Sequence, residues 1–219
     1  FSKYVAGAKP DSIENLASRE NSGIRKNPVV LPPLDMLPPP DRELLDMERY
    51  FRNSQHPTYP ICEPFKRPVN IYSQKGCMWR SQPEGGCVFC AIPYYNLRLR
   101  DPGQVWGEIA GLAGKHDADF VWDTSDNLVG DRKWFRAFCA AKPAQLKIHY
   151  TSYVDADDID EETARLLAET GCVSVFVGME SGDPQMLKSM NKKATVDDNI
   201  RAMELLGKHR IGVIAGVVL

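Results

Sequence analysis

The chain has 219 residues, with 27 Lys and Arg against 29 Asp and Glu, for a formal net charge of −2. That length supports one full domain, or one domain with part of another. The balanced charge argues against a basic nucleic-acid footprint and against a polybasic membrane binder. At 43% hydrophobic and 26% charged residues, the chain has enough apolar surface to build a core and does not read as disordered. The longest clean apolar run, residues 211–219, is far too short to span a bilayer. No charged-then-apolar leader opens the sequence, so a cytoplasmic protein is expected. The first residue is Phe1, and Gly216-Val217-Val218-Leu219 ends the sequence inside an expected strand; the sequence therefore reads as a piece of a longer chain.

Proline divides the sequence, with eleven of its sixteen prolines before residue 69. The pattern predicts two short strands at 13–17 and 23–26 around the polar turn Glu20-Asn21-Ser22. The proline-rich stretch 31–40 cannot be a helix interior, because proline lacks the amide donor and clashes with the preceding turn; it reads as an extended linker. Residues 41–50 suit a short helix capped by Asp41. Nothing in residues 1–68 carries recognisable chemistry, and this part is expected to be the tail of a preceding domain plus a linker.

From Val69 the pattern becomes strands alternating with helices. Strands are expected at 69–73, 120–122, 146–151, 173–178 and 211–219. Between them, Asp101-Pro102 opens a helix with an N-cap and a proline at the first position, and Val105, Ile109 and Leu112 give it one apolar face. A second helix, 131–141, carries Trp134, Phe135 and Phe138 at helical spacing. Asp158-Ile159-Asp160-Glu161 resembles a capping box for a third, which Gly171 closes. Asp183-Pro184 caps a short helix, and 195–208 forms a longer one with Val196, Ile200 and Met203 on its apolar face. The charged run 155–162 reads as a solvated helix start. Five such alternations imply an α/β fold with a parallel sheet, open or curved into a barrel. Ligands gather at the carboxyl ends of such strands.

The chemistry concentrates just after the first of these strands. Cysteines stand at 62, 77, 87, 90, 139 and 172, and three of them cluster: Cys77, Cys87 and Cys90. Thiolates are soft ligands for zinc or iron–sulfur clusters. A Cys-x2-Cys pair lets two sulfurs converge, and Gly85-Gly86 lets the backbone fold around a centre. Three thiolates on a four-iron cluster leave one iron open for chemistry. Two alternatives stand beside this reading. A zinc-stabilised, non-catalytic binding module would take Cys62 as its fourth ligand, although the spacing lacks the two close pairs of a zinc ribbon. An electron-transfer iron–sulfur protein would need the same fourth thiolate. Cys139 and Cys172 read as inert core residues.

The loop Cys87-Val88-Phe89-Cys90-Ala91-Ile92-Pro93 resembles the cluster loop of radical S-adenosylmethionine (SAM) enzymes. Phe176-Val177-Gly178-Met179-Glu180-Ser181-Gly182 and the following Leu187-Lys188-Ser189-Met190-Asn191-Lys192 resemble the fourth-strand motif and next helix of that family, and residues 211–219 its fifth strand. The proline-rich Leu37 to Leu45 stretch resembles the linker of the subgroup that follows a cobalamin-binding domain. The resemblance covers residues 69–219 and implies a parallel-stranded partial (β/α)6 barrel, truncated after its fifth strand, with a proline-rich N-terminal extension. It implies a [4Fe-4S] cluster on Cys77, Cys87 and Cys90, and SAM held by Phe89 near the adenine and by Glu180 and Ser181 at the ribose or methionine part. It further implies an electron donor and a small-molecule or other substrate that the sequence does not specify, with cobalamin-linked methyl transfer or methylthiolation among the reactions of the group.

Two departures from the family pattern stand out. The family spacing is Cys-x3-Cys-x2-Cys, whereas nine residues separate Cys77 from Cys87. Either the insertion loops out and leaves Cys77 in place, or Cys77 is not the first ligand. After the second strand the family often carries Gly-Gly-Glu; here Asp123-Thr124-Ser125-Asp126 stands instead, with Asp123 and Asp126 as candidates for binding SAM or substrate, or for capping the next helix. No Asp-x-His-x-x-Gly run occurs, so cobalamin is expected only through a domain outside this chain.

Overall fold

The computed structural model describes residues 2–20, 23–56, 64–92 and 96–218. The chain forms two compact units, Phe1–Leu37 and Pro38–Leu219. In the smaller, helix α1 (Ser2–Val5) precedes an antiparallel hairpin of β1 (Ala17–Glu20) and β2 (Gly23–Lys26). The second strand of the hairpin forms where the pattern puts it. The first begins four residues later than expected, because Pro10–Ser12 makes a 3-10 turn and Asn15 takes a left-handed φ of 62°. Turn residues 21 and 22 lie outside the described residues.

The larger unit starts with a correction to the first helix. Asp41 caps only a 3-10 turn, Arg42–Leu44, and Leu45 is extended. Helix α2 (Met47–Ser54) begins after a new N-cap, Asp46, whose carboxylate accepts the Arg49 amide. The amphipathic match decides this start: Leu44 is 82% exposed, whereas Met47 and Phe51, one turn apart, are buried in the core.

Strand β3 (Pro68–Ile71) is followed by a small hairpin of β4 (Gln74–Lys75) and β5 (Arg98–Leu99). Helix α3 (Pro102–His116), β6 (Phe120–Asp123), α4 (Arg132–Ala141), β7 (His149–Val154), α5 (Glu161–Glu169), β8 (Cys172–Glu180), α6 (Pro184–Ser189), α7 (Val196–Lys208) and β9 (Gly212–Val217) complete the unit. The five long strands form one sheet in the order β3-β6-β7-β8-β9, parallel throughout. Spatial order equals chain order, so each crossover helix returns to the same side of the sheet. This is the α/β architecture of a partial barrel, and no closed barrel forms among the described residues.

The helix side of the sheet holds the core. Trp106 of α3 is 1% exposed and stacks on Phe138 of α4 at 4.8 Å, while its indole donates to the Phe138 carbonyl at 2.7 Å. Val105, Ile109 and Leu112 are buried as their spacing predicts, as are Trp134, Phe135 and Phe138. Tyr150 points into the same core, with its hydroxyl on Thr170 at 2.9 Å, and its neighbour His149 is exposed, as strand alternation requires. On the opposite face, Trp122 of β6 and Phe176 of β8 stack at 5.3 Å across the intervening β7, with Tyr153 4.8 Å from Phe176. Rings two strands apart meet because the sheet curves toward this face.

Three local expectations are corrected. The third strand begins at His149 rather than at 146. The cap of α5 is Asp160, not Asp158: Asp160 accepts the Thr163 amide at 2.8 Å, whereas Asp158 takes Asn127 Nδ2 at 2.8 Å and belongs to a 3-10 turn. In α7 the buried face is Asn199, Ala202 and Leu206, while Ile200 and Met203 are about half exposed. Asp160→Ala is expected to cost about 1 kcal/mol, the usual loss for a helix cap, measured as a urea midpoint shift at unchanged slope.

Candidate functional site

The carboxyl ends of the strands surround a cavity of about 200 Å³. Cys77, Cys87 and Cys90 all line it, together with Trp79, Phe89, Tyr153 and Phe176 as aromatic walls and Asp126, Asp155, Glu180 and Lys192 as polar ones. The alternation of β8 explains part of this set. Val175 and Val177 face the helices, so Phe176, Gly178 and Glu180 face the cavity. A register shift between Gly178 and Glu180 ends the strand, and Glu180 adopts a φ of 60°. Its carboxylate folds back over Gly178, where any Cβ would collide with Glu180 Oε1.

Residues 78–86 form an excursion closed at its base by hydrogen bonds. Ser81 donates from both its amide (3.1 Å) and its hydroxyl (2.9 Å) to the Cys77 carbonyl, and the Leu97 amide donates to Ser81 Oγ at 3.1 Å. Just before Cys77, the Gly76 amide donates to Asp126 Oδ2 at 2.7 Å. Gly76 has a φ of 94°, and a Cβ there would lie 2.6 Å from the Asn96 carbonyl oxygen, so only glycine makes this turn. The chain returns to the cavity at Cys87, with the Val88 amide on the Met190 carbonyl at 3.0 Å.

Of the expected SAM-binding residues, the structure brings Phe89, Asp126 and Glu180 to the cavity; Asp123 and Ser181 are not among its lining residues. Asp123 shares the strand face of Val121 and is 3% exposed. Its oxygens accept from the amides and hydroxyls of Ser73 and Ser125. Burial raises its carboxyl above the usual range, and those hydrogen bonds work against the rise. Ser181 Oγ accepts the Asp183 amide at 3.1 Å in the turn that opens α6.

Lys192 and Asp155 join the site without having been singled out as binders. Lys192 Nζ lies 2.8 Å from Asp155 Oδ1 and 3.9 Å from Glu180 Oε1. Burial works to lower its ammonium, but the attraction and hydrogen bond of Asp155, with smaller pulls from Cys87 and Glu180, carry it above its ordinary value. Burial raises the Glu180 carboxyl, Lys192 opposes the rise and Asp155 adds to it. The acidic run 155–162 is therefore not simply a solvated helix start: Lys193 pairs with Asp157 and Lys192 with Asp155. The available signal was Lys192 itself, at the end of the motif after α6.

The donor set fits a multinuclear centre. All three thiols are free and half-buried. Burial pushes Cys77 up and Cys87 up to about 11, with Lys192 partly countering it at Cys87. Burial at Cys77 and Cys87 thus favours the thiol form, and a bound cation would work the other way. Among the described residues no group of three or more His, Cys, Asp or Glu is arranged to hold a single metal ion. A four-iron cluster would instead take one thiolate per iron, and Cys77, Cys87 and Cys90 line one cavity. Cys62, the fourth ligand of the zinc and electron-transfer alternatives, lies outside the described residues. Cys139 lines a separate cavity, and burial pushes its thiol up to about 12.

A parallel sheet of five strands with three thiols at its carboxyl edge makes this an α/β protein whose chemistry gathers at the strand ends. Residues 71–219 match the sequence model of the Radical SAM superfamily, and the chain belongs to that superfamily. It is 28% identical over 173 residues to the anaerobic magnesium-protoporphyrin IX monomethyl ester cyclase of Rubrivivax gelatinosus, covering 76% of this chain and 28% of that one. It is 27% identical over 191 residues to the bacteriochlorophyllide d C-12(1)-methyltransferase of Chlorobaculum tepidum, covering 84% and 38%. The chain thus spans about a third of the length of these relatives. The fold is shared with the cobalamin-dependent SAM radical enzyme OxsB, at a TM-score of 0.78 and 18% identity over 99% of this chain and 31% of that one. No helix among the described residues is long and apolar enough to cross a membrane.

Proposed function

We propose that this chain is the catalytic core of a radical SAM enzyme, with Cys77, Cys87 and Cys90 holding a [4Fe-4S] cluster whose fourth iron takes SAM. The single observation that carries this reading is the meeting of all three cysteines in one cavity at the strand ends, despite the nine-residue gap. Held by Cys77, Cys87 and Cys90, the cluster would supply one-electron reductive cleavage of SAM: an electron from a low-potential donor would break its carbon–sulfur bond to methionine and a 5′-deoxyadenosyl radical able to take a hydrogen atom from substrate. The chain's own residues position and shield. Phe89, 47% exposed on the loop between two ligands, offers a ring face to the adenine. The Glu180 and Asp155 carboxylates accept from the amino group of SAM, and Lys192 holds those two carboxylates in place. The aromatic walls Trp79, Tyr153 and Phe176 exclude water from the reacting atoms.

Relatives that share this core are named as cyclases and as methyltransferases, so the core fits more than one outcome. The reading favoured here is methyl transfer or a related carbon-centred reaction on a small molecule. Cobalamin, where used, comes from outside this sequence.

The test is anaerobic reconstitution with iron and sulfide, then metal analysis and electron paramagnetic resonance of the reduced protein with and without SAM. A four-iron signal that changes on adding SAM is expected. Zinc without iron, or a cluster blind to SAM, sinks the reading.

A further inference from the structure

We infer that Asn191 is a positioning residue that latches the 78–86 excursion and thereby sets the place of Cys77 opposite Cys87 and Cys90. The inference rests on the cluster reading above and goes beyond it, because a nine-residue gap needs something to close it. Asn191 is where the closing bonds meet. Its Nδ2 donates to the carbonyls of Glu84 and Gly86, each at 2.9 Å, and its own carbonyl accepts the Trp79 indole N–H at 2.9 Å. The amide of Val88, next to Cys87, donates to the carbonyl of the preceding Met190 at 3.0 Å. The two ends of the excursion, at Trp79 and at 84–88, are therefore tied to one corner of the chain more than 100 positions downstream.

The residue types suit this task. Asn191 sits just past α6 with a φ of 51°, the left-handed region that asparagine enters more readily than most side chains. A short amide side chain there supplies two N–H donors to two backbone carbonyls without adding charge. The excursion itself is close-packed: a Cβ on Gly85 would overlap the Trp79 carbonyl oxygen, and Gly86 turns with a φ of 94°. Lys192, the next residue, places its ammonium against Asp155 at 2.8 Å. One corner thus fixes a ligand loop on one side and the charged cavity wall on the other.

Two variants separate latch from scaffold. Asn191→Asp keeps size and backbone preference but turns both donors into acceptors facing carbonyls. Asn191→Gly keeps the left-handed turn and removes the side chain. The first readout needs no cluster: hydrogen exchange of the apo protein. Both variants are expected to raise exchange at the amides of 85–88 by about tenfold or more through local opening, with α3, α4 and α5 unchanged. The second readout is the reconstituted protein, in which both variants are expected to lose most of the four-iron signal, because a displaced Cys77 leaves two thiolates for the cluster. Unchanged exchange at 85–88 in both variants overturns the proposal, as does a wild-type four-iron signal kept by both. Loss confined to α6 and melting temperature, with exchange at 85–88 and the four-iron signal unmoved, assigns Asn191 to helix termination and also overturns it. A wild-type chain that takes up no cluster fails the functional reading instead, and the exchange data still decide the latch.

Discussion

Cys87→Ala and Cys90→Ala are each expected to leave a folded chain that cannot retain a four-iron cluster, with loss of all SAM-dependent signal. Neither thiol is a core residue: both are half-buried and line the cavity, so removing the sulfur leaves no large void. The loop keeps its hydrogen bonds through Val88, Ser81 and Asn191. What is lost is the ligand, and two thiolates do not hold a cubane site-specifically. Cys139→Ala is the matched control. It removes a thiol from a different cavity and is expected to leave iron content and the SAM response intact. Iron and sulfide analysis with paramagnetic resonance reads all three variants; a Cys87→Ala protein with a wild-type SAM-responsive signal would refute the ligand assignment.

Trp106→Ala is expected to be the most damaging substitution for stability, at about 3–5 kcal/mol. Trp106 is 1% exposed between α3 and α4, and its ring faces Phe138 and, edge-on, Tyr150 at 6.4 Å. Its removal opens a cavity and strips the Phe138 carbonyl of its indole donor. For a unit of this size the melting temperature should fall by on the order of 10 °C. Met203→Ala, on the exposed face of α7, is expected to change stability by less than about 0.5 kcal/mol. Thermal and urea unfolding of the two variants against wild type checks the contrast, and equal losses would mean that the core has been misplaced.

The larger unit was legible in sequence wherever a local rule and the tertiary context agreed. Asp101-Pro102 opens α3 and Asp183-Pro184 opens α6, because cap chemistry is settled within four residues. The face of α7 was not legible. Val196, Ile200 and Met203 satisfy helical spacing, yet the packed face carries Asn199, whose amide is needed by the Met179 carbonyl at 3.1 Å. Asp158 and Asp160 compete for one cap, and Asn127, 31 residues upstream, decides it. The cysteines of the site were visible from their chemistry, and Glu180 from its motif. Asp155 was hidden in a charged run, because only the fold brings Lys192 to it across 37 positions. Asp123 illustrates the converse: a carboxylate at a strand end drew attention, but strand alternation turned it to the helix side.

The walls of the cavity also have a consequence for how ligands arrive. Its formally charged lining side chains are Arg80, Lys192 and Lys193 against Asp126, Asp155 and Glu180, so their charges cancel. Around them the whole chain carries only −2. A pocket of this kind projects little field beyond the Debye length and does not funnel ions from a distance. Its field is that of opposed poles held a few ångströms apart, which leaves encounter to diffusion and exerts a torque on whatever enters. A zwitterion that carries an ammonium at one end and a carboxylate at the other is the natural occupant of such a field, and would be turned to fit rather than drawn in.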